Sequence, residues 1–146
     1  MGTAFTERLL GAGYPVKVYN RTRSKADRLL ARGAQWSDNP VAECERVVFS
    51  LYTTQVVEEV LRTMATGLRT GQVLLDTSTS DPRQAYQLGS RLADRGVHLL
   101  EAPFSGSSEQ TRQGEATAIV AGDRPTFDAC GDLFDLLAAK TYFVGE

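Results

Sequence analysis

Gln72-Val73-Leu74-Leu75-Asp76, followed by Thr77-Ser78-Thr79-Ser80-Asp81-Pro82, decides the fold of this 146-residue chain. A nearly continuous apolar run of this length suits a strand covered on both faces, with helices sealing each side of a sheet. It ends in small hydroxyl side chains. Asp81-Pro82 then opens a helix, with an acceptor at the cap and a proline in the first turn. Strand, polar turn and amphipathic helix make one βα unit, and such units recur in both directions from it.

Upstream, residues 46–51 form a β-rich run and 54–65 a helical stripe of Val56, Val57, Val60, Leu61 and Met64. Residues 15–19 and 34–36 read as short strands, with a helix capped by Ser24 at 24–31 and another opened by Asn39-Pro40. The first helix covers 3–10 and is stopped by Gly11 and Gly13. Downstream, residues 97–101 read as a strand, 105–114 as a polar loop, 116–121 as a strand, 125–138 as a helix and 141–144 as a closing strand. Strands alternating with helices predict a single α/β domain over 1–146, doubly wound around a largely parallel sheet of the Rossmann type.

Composition narrows the function. A 42% hydrophobic share supports one core-bearing domain, and the near-neutral net charge of −2 shows no basic stripe for nucleic acid. No apolar run reaches the roughly 20 residues of a membrane helix, and no secretory signal opens the chain. Cys44 and Cys130 lie in no CxxC pattern and read as the reduced thiols of a cytoplasmic protein. His98 is the only histidine, so a multi-histidine metal site is ruled out.

Candidate ligand groups fall at strand ends, where open α/β sheets bind dinucleotides. Asn20-Arg21-Thr22 closes the strand at 15–19. An acidic residue there reads a free ribose 2′-hydroxyl, whereas an arginine with small polar neighbours reads a 2′-phosphate. No carboxylate is present, so Arg21, Asn20 and Thr22 point to NADP(H), with NAD(H) possible; an ordinary surface turn reads the same way. Leu51 and Tyr52 follow the strand at 46–51. Asp76 is placed to cap its turn, with Ser78 and Thr79 toward a nicotinamide or substrate. Ser105, Gly106 and Ser107 combine glycine-freed backbone N–H groups with hydroxyls, a combination suited to a small carboxylate.

In this order and spacing the chain resembles the β-hydroxyacid dehydrogenase family, which includes 3-hydroxyisobutyrate dehydrogenases, tartronate semialdehyde reductases and 6-phosphogluconate dehydrogenases. Met1-Gly2 matches the end of its glycine motif, Asp76-Thr77-Ser78-Thr79 its Asp-x-Ser-Thr segment, and Ala102-Pro103-Phe104-Ser105-Gly106 its substrate loop. Gly114 and Gly122-Asp123 also follow the family pattern. The resemblance implies that Gly2 and Thr79 touch cofactor and that Ser105 and Gly106 hold the substrate carboxylate. Ser107, where many members have a second glycine, is most similar to the glyoxylate and succinic semialdehyde reductase branch and its NADPH preference.

The resemblance covers only the family's N-terminal domain. It implies that the first strand and first glycines precede Met1, and that the catalytic lysine and the helical, dimer-building domain follow Glu146. Lys140 is not that lysine, because it precedes the last strand. The expected molecule is therefore a truncated cofactor domain, inactive alone; the alternative is a non-catalytic dinucleotide-binding module. Without the first strand, its two neighbours either pair directly or leave two open edges, which predicts low stability. Met1 coinciding with the family's loop methionine predicts upstream coding sequence for a strand and Gly-x-Gly.

Overall fold

The computed structural model describes residues 1–79 and 81–146. Ser80, part of the hydroxyl run expected after residue 76, lies outside the described residues. Helix α1 (Gly2–Gly11) opens the fold and buries Ala4 and Phe5. It closes in a Schellman arrangement, Tyr14 N–H donating to Leu9 O and Gly13 N–H to Leu10 O, with Gly13 at φ +85°. Gly13, rather than Gly11, is thus the glycine that this cap requires.

Strand β1 (Lys17–Val18) pairs in parallel with β2 (Gln35–Trp36). The helix expected at 24–31 is split into a 3-10 turn, Arg23–Ala26, and the single turn α2 (Asp27–Leu30). Ser24 does not cap it. Thr22 takes the cap position without a side-chain bond, and Lys25 N–H donates to its carbonyl. Helix α3 (Pro40–Glu43) starts as expected, Asn39 accepting from Ala42 N–H.

The main sheet begins with β3 (Arg46–Phe49), followed by α4 (Thr54–Met64), β4 (Val73–Asp76), α5 (Pro82–Ala93) and β5 (His98–Glu101). These strands are parallel and in register, so Phe49, Asp76 and Glu101 share one level at their carboxyl ends. Thr53 accepts from Val56 N–H at the start of α4, and Asp81 accepts from Arg83 and Gln84 N–H at the start of α5.

Beyond β5 the sheet reverses. Strand β7 (Thr117–Gly122) runs antiparallel to β5 and to β6 (Phe104–Ser105), and parallel to β8 (Lys140–Gly145). The loop expected at 105–114 holds helix α6 (Ser108–Gln113), secured by a Ser107–Gln110 capping box and by Gly114 in the left-handed region. Its residues are nearly all polar, so no apolar periodicity betrays it. The helix expected at 125–138 divides at Cys130 into α7 (Arg124–Ala129) and α8 (Gly131–Leu137).

Alternation along the strands sends side chains to two separate cores. Val47, Phe49 and Leu74 join Val57, Leu61, Leu88 and Leu92 of α4 and α5 on one face. Leu75, Leu100 and Val120 join Leu133 and Phe134 of α8 on the other, with Leu9 of α1 packed against them. The sheet is therefore helix-covered on both sides, as β4 implied. Of the two arrangements open to β1 and β3, direct pairing does not occur. Strand β1 pairs with β2 and β3 with β4, leaving a two-stranded sheet beside a six-stranded one. Among the described residues no strand pairs with the other edge of β1 or of β3.

Candidate functional site

The amino end of α1 approaches the carboxyl end of β3, at Ser50. Met1 occupies the helix cap without a side-chain bond, and the first turn holds no acidic residue. Its leading N–H groups therefore keep their partial positive charge. A Cβ on Gly2 would lie 3.2 Å from Ser50 Cβ and 3.4 Å from its Oγ, so glycine sets how closely this helix end approaches β3. The terminal ammonium of Met1 donates to Ser108 Oγ at 3.0 Å. Helix α1 packs against α6, which begins immediately after Ser105-Gly106-Ser107.

At the end of β1, the Asn20 side-chain amide donates to Thr22 O at 2.8 Å and closes a turn around Arg21. The next arginine, Arg23, lies 4.9 Å from the Trp36 ring centroid, and Tyr19 packs on the same ring. That stacking anchors the turn from both flanks. Arg21 is exposed and, among the described residues, carries no ion pair or hydrogen bond. Its guanidinium is free to take a ligand. After β3, Leu51 is half-buried and Tyr52 is 90% exposed.

The segment after β4 is tied down. Thr77 Oγ1 donates to Phe49 O at 2.8 Å, and Asp76 Oδ1 accepts from both Ser78 N–H and Ser78 Oγ. Asp76 therefore caps its own turn as the sequence suggested. Ser78 is buried in that role, which removes it as the nicotinamide or substrate contact expected from its position. Thr79 is exposed. Glu101, beside Asp76 in register, is pushed above its ordinary value by burial and, secondarily, by the Asp76 charge.

In the 105–107 segment, Ser105 is exposed at the end of β6. Gly106 sits at φ +145°, and a Cβ there would come within 3.1 Å of Ala116 Cβ. Ser107 is less available than its sequence position suggests. Its N–H donates to Gln110 Oε1 and its hydroxyl accepts from Gln110 N–H. The hydroxyl proton of Ser107 is the donor that remains to meet a carboxylate, since its N–H is already used.

The charged cluster behind this cleft is not legible in sequence. Glu7 of α1 is buried, its side chain 3% exposed, and bonds Arg32 at 2.6 Å and Arg112 at 2.7 Å, with Arg28 at 3.4 Å. The Arg112 bond holds its carboxyl below the ordinary carboxylate value. An open hollow of about 360 Å³ lies against this cluster, away from Arg21 and Ser105. Among the described residues no group of acidic, histidine and cysteine side chains is arranged to hold a metal ion.

Parallel strands sealed by helices on both faces, with small polar groups at their carboxyl ends, define the dinucleotide-binding class of α/β domains. Within that class the chain belongs to the family of the NAD binding domain of 6-phosphogluconate dehydrogenase, which it matches over residues 1–145. Glyoxylate/succinic semialdehyde reductase 2, chloroplastic, of Arabidopsis thaliana is 29% identical over 100% of this chain and 42% of its own length. Probable 3-hydroxyisobutyrate dehydrogenase-like 1, mitochondrial, of the same organism is 35% identical over 99% of this chain and 45% of its own. The solved structure of Psf3 in complex with NADP+ and 2-OPP superposes with a TM-score of 0.93 at 30% identity, over 100% of this chain and 54% of that one. The chain thus spans less than half the length of these two curated relatives.

Proposed function

We propose that residues 1–146 form a single NADP(H)-binding domain of a cytoplasmic oxidoreductase. The enzyme interconverts a small β-hydroxyacid and its aldehyde or keto acid, in the manner of glyoxylate/succinic semialdehyde reductases or 3-hydroxyisobutyrate dehydrogenases. The observation that carries this reading is Arg21: an exposed, unpaired guanidinium at the end of β1, framed by the Asn20–Thr22 turn, with no carboxylate at the strand end to take a ribose hydroxyl instead. The two reductase and dehydrogenase relatives, and the NADP+ bound to Psf3, support the same direction.

The proposed division of labour follows from these positions. When bound, the nicotinamide supplies or accepts the hydride. The first turn of α1, held close by Gly2, faces the pyrophosphate with its unpaired N–H groups. Arg21 and Thr22 take the 2′-phosphate; Leu51, Tyr52 and Thr79 line the path of the cofactor between β3 and β4. Ser105 and the Gly106 N–H hold the substrate carboxylate, assisted by the Ser107 hydroxyl. None of these residues is a proton donor for the reacting oxygen, which in this reading comes from a lysine outside 1–146, so the chain alone binds cofactor without turnover. No described helix is long and apolar enough to cross a membrane.

Fluorescence titration of the purified chain with NADPH tests the reading. Saturable quenching or transfer to bound NADPH, with no oxidation of the NADPH when glyoxylate or succinic semialdehyde is added, is the expected result. Absence of binding to either NADPH or NADH removes it.

A further inference from the structure

Glu7 lies on α1, and its two carboxylate oxygens bond arginines downstream of the two loops that the proposed function assigns to different ligands. Oε1 accepts from Arg32 at 2.6 Å, with Arg28 at 3.4 Å; both follow the Asn20–Thr22 turn, on or just after α2. Oε2 accepts from Arg112 Nε at 2.7 Å, on the short helix that begins directly after Ser107. The adjacent Arg8 reinforces the second arm, donating to Arg112 O and to Leu136 O.

We propose that Glu7 is a positioning residue that couples the 2′-phosphate turn to the substrate-carboxylate loop, so that cofactor binding orders the loop for its substrate. This rests on the cofactor reading given above. The physical basis is charge. Three guanidinium groups from two separate elements converge on one buried carboxylate. Removing that carboxylate takes away the one buried acceptor that the partly exposed arginines of both arms share, so both arms are released together. Because α1 also presents its amino end to the pyrophosphate, a cofactor that fixes α1 fixes both arms together. The coupling is reciprocal: a carboxylate seated at Ser105 and Gly106 must favour the cofactor by the same factor.

Amide hydrogen exchange on the full chain, native and Glu7→Gln, tests it. Without ligand, the variant should exchange about tenfold faster at both 20–26 and 105–113, with 73–76 and 98–101 unchanged. Acceleration at neither or only one segment, or equally through the core strands, overturns the proposal. Arg112→Gln, which severs one arm, should accelerate 105–113 alone; acceleration at 20–26 as well contradicts a two-armed tie. With saturating NADPH the native chain should slow at 20–26 and at 105–113, and Glu7→Gln only at 20–26. Slowing at 20–26 without 105–113 in the native chain defeats the coupling and leaves the cofactor reading standing. No change anywhere defeats both.

Discussion

Gly2 and Ser50 are in contact across the end of β3: a Cβ on Gly2 would lie 3.2 Å from Ser50 Cβ. A side chain at position 2 would crowd Ser50, so glycine favours this close approach. In the proposed cofactor reading, Gly2→Val shifts the first turn away from the pyrophosphate. NADPH affinity should fall about tenfold, equivalent to about 1.4 kcal/mol, as read by fluorescence titration. Unchanged affinity would show that the helix end takes no part.

Gly106 occupies φ +145° and faces Ala116 at a distance that leaves little room for a methyl group. Gly106→Ala should cost about 1–3 kcal/mol of stability from backbone strain alone, measured by urea denaturation. It should also weaken the effect of 3-hydroxypropionate on NADPH binding, because the strained N–H is the one assigned to the carboxylate.

Glu7 carries an acid-sensitive contribution. Its folded-state pKa is lowered from the ordinary 4.5, first by the Arg112 bond and then by Arg32 and Arg28, against the opposing effect of burial. A depressed carboxylate stabilises the fold above its unfolded value and loses that contribution as pH falls through the lower, folded value. Asp132, bound by Arg46, and Asp123, bound by Thr126, behave in the same direction. The test is therefore a difference: between about pH 7 and about pH 3, Glu7→Gln should lose less stability than the native chain. Parallel acid limbs would mean that Glu7 contributes nothing.

Among the described residues, β1 pairs only with β2 and β3 only with β4, so each has one unpaired edge. At about 1 kcal/mol net per backbone bond, a few missing pairs weigh heavily against a total of about 5–15 kcal/mol. Thermal unfolding of the purified chain should have its midpoint below about 50 °C, at the low end for single domains. A cooperative transition above that temperature would contradict this expectation.

Local chemistry explains which elements the sequence reveals. Val73–Asp76 is readable because burial on both faces demands an apolar run. Asn39, Thr53 and Asp81 cap helices through bonds spanning two or three residues. What escapes depends on distant partners or on polar surfaces. Helix α6 has no apolar stripe and is held by a capping box, a signal present in Ser107 and Gln110 but masked by glycine-rich neighbours. Ser78 reads as a ligand group because its bond to Asp76 leaves no trace in residue type. The Glu7 cluster joins residues 25 and 105 positions apart, a separation that spacing cannot reveal. Arg21 remains the residue whose sequence pattern and structural freedom point to the same ligand.

The ratio of NADH to NADPH dissociation constants, measured side by side for the native chain and for Arg21→Gln, bears most directly on that assignment. A guanidinium reading the 2′-phosphate should give a native ratio of about ten or more, collapsing toward unity in the variant as NADPH alone weakens. Equal affinities for the two dinucleotides in the native chain, or a ratio untouched by the substitution, would contradict it.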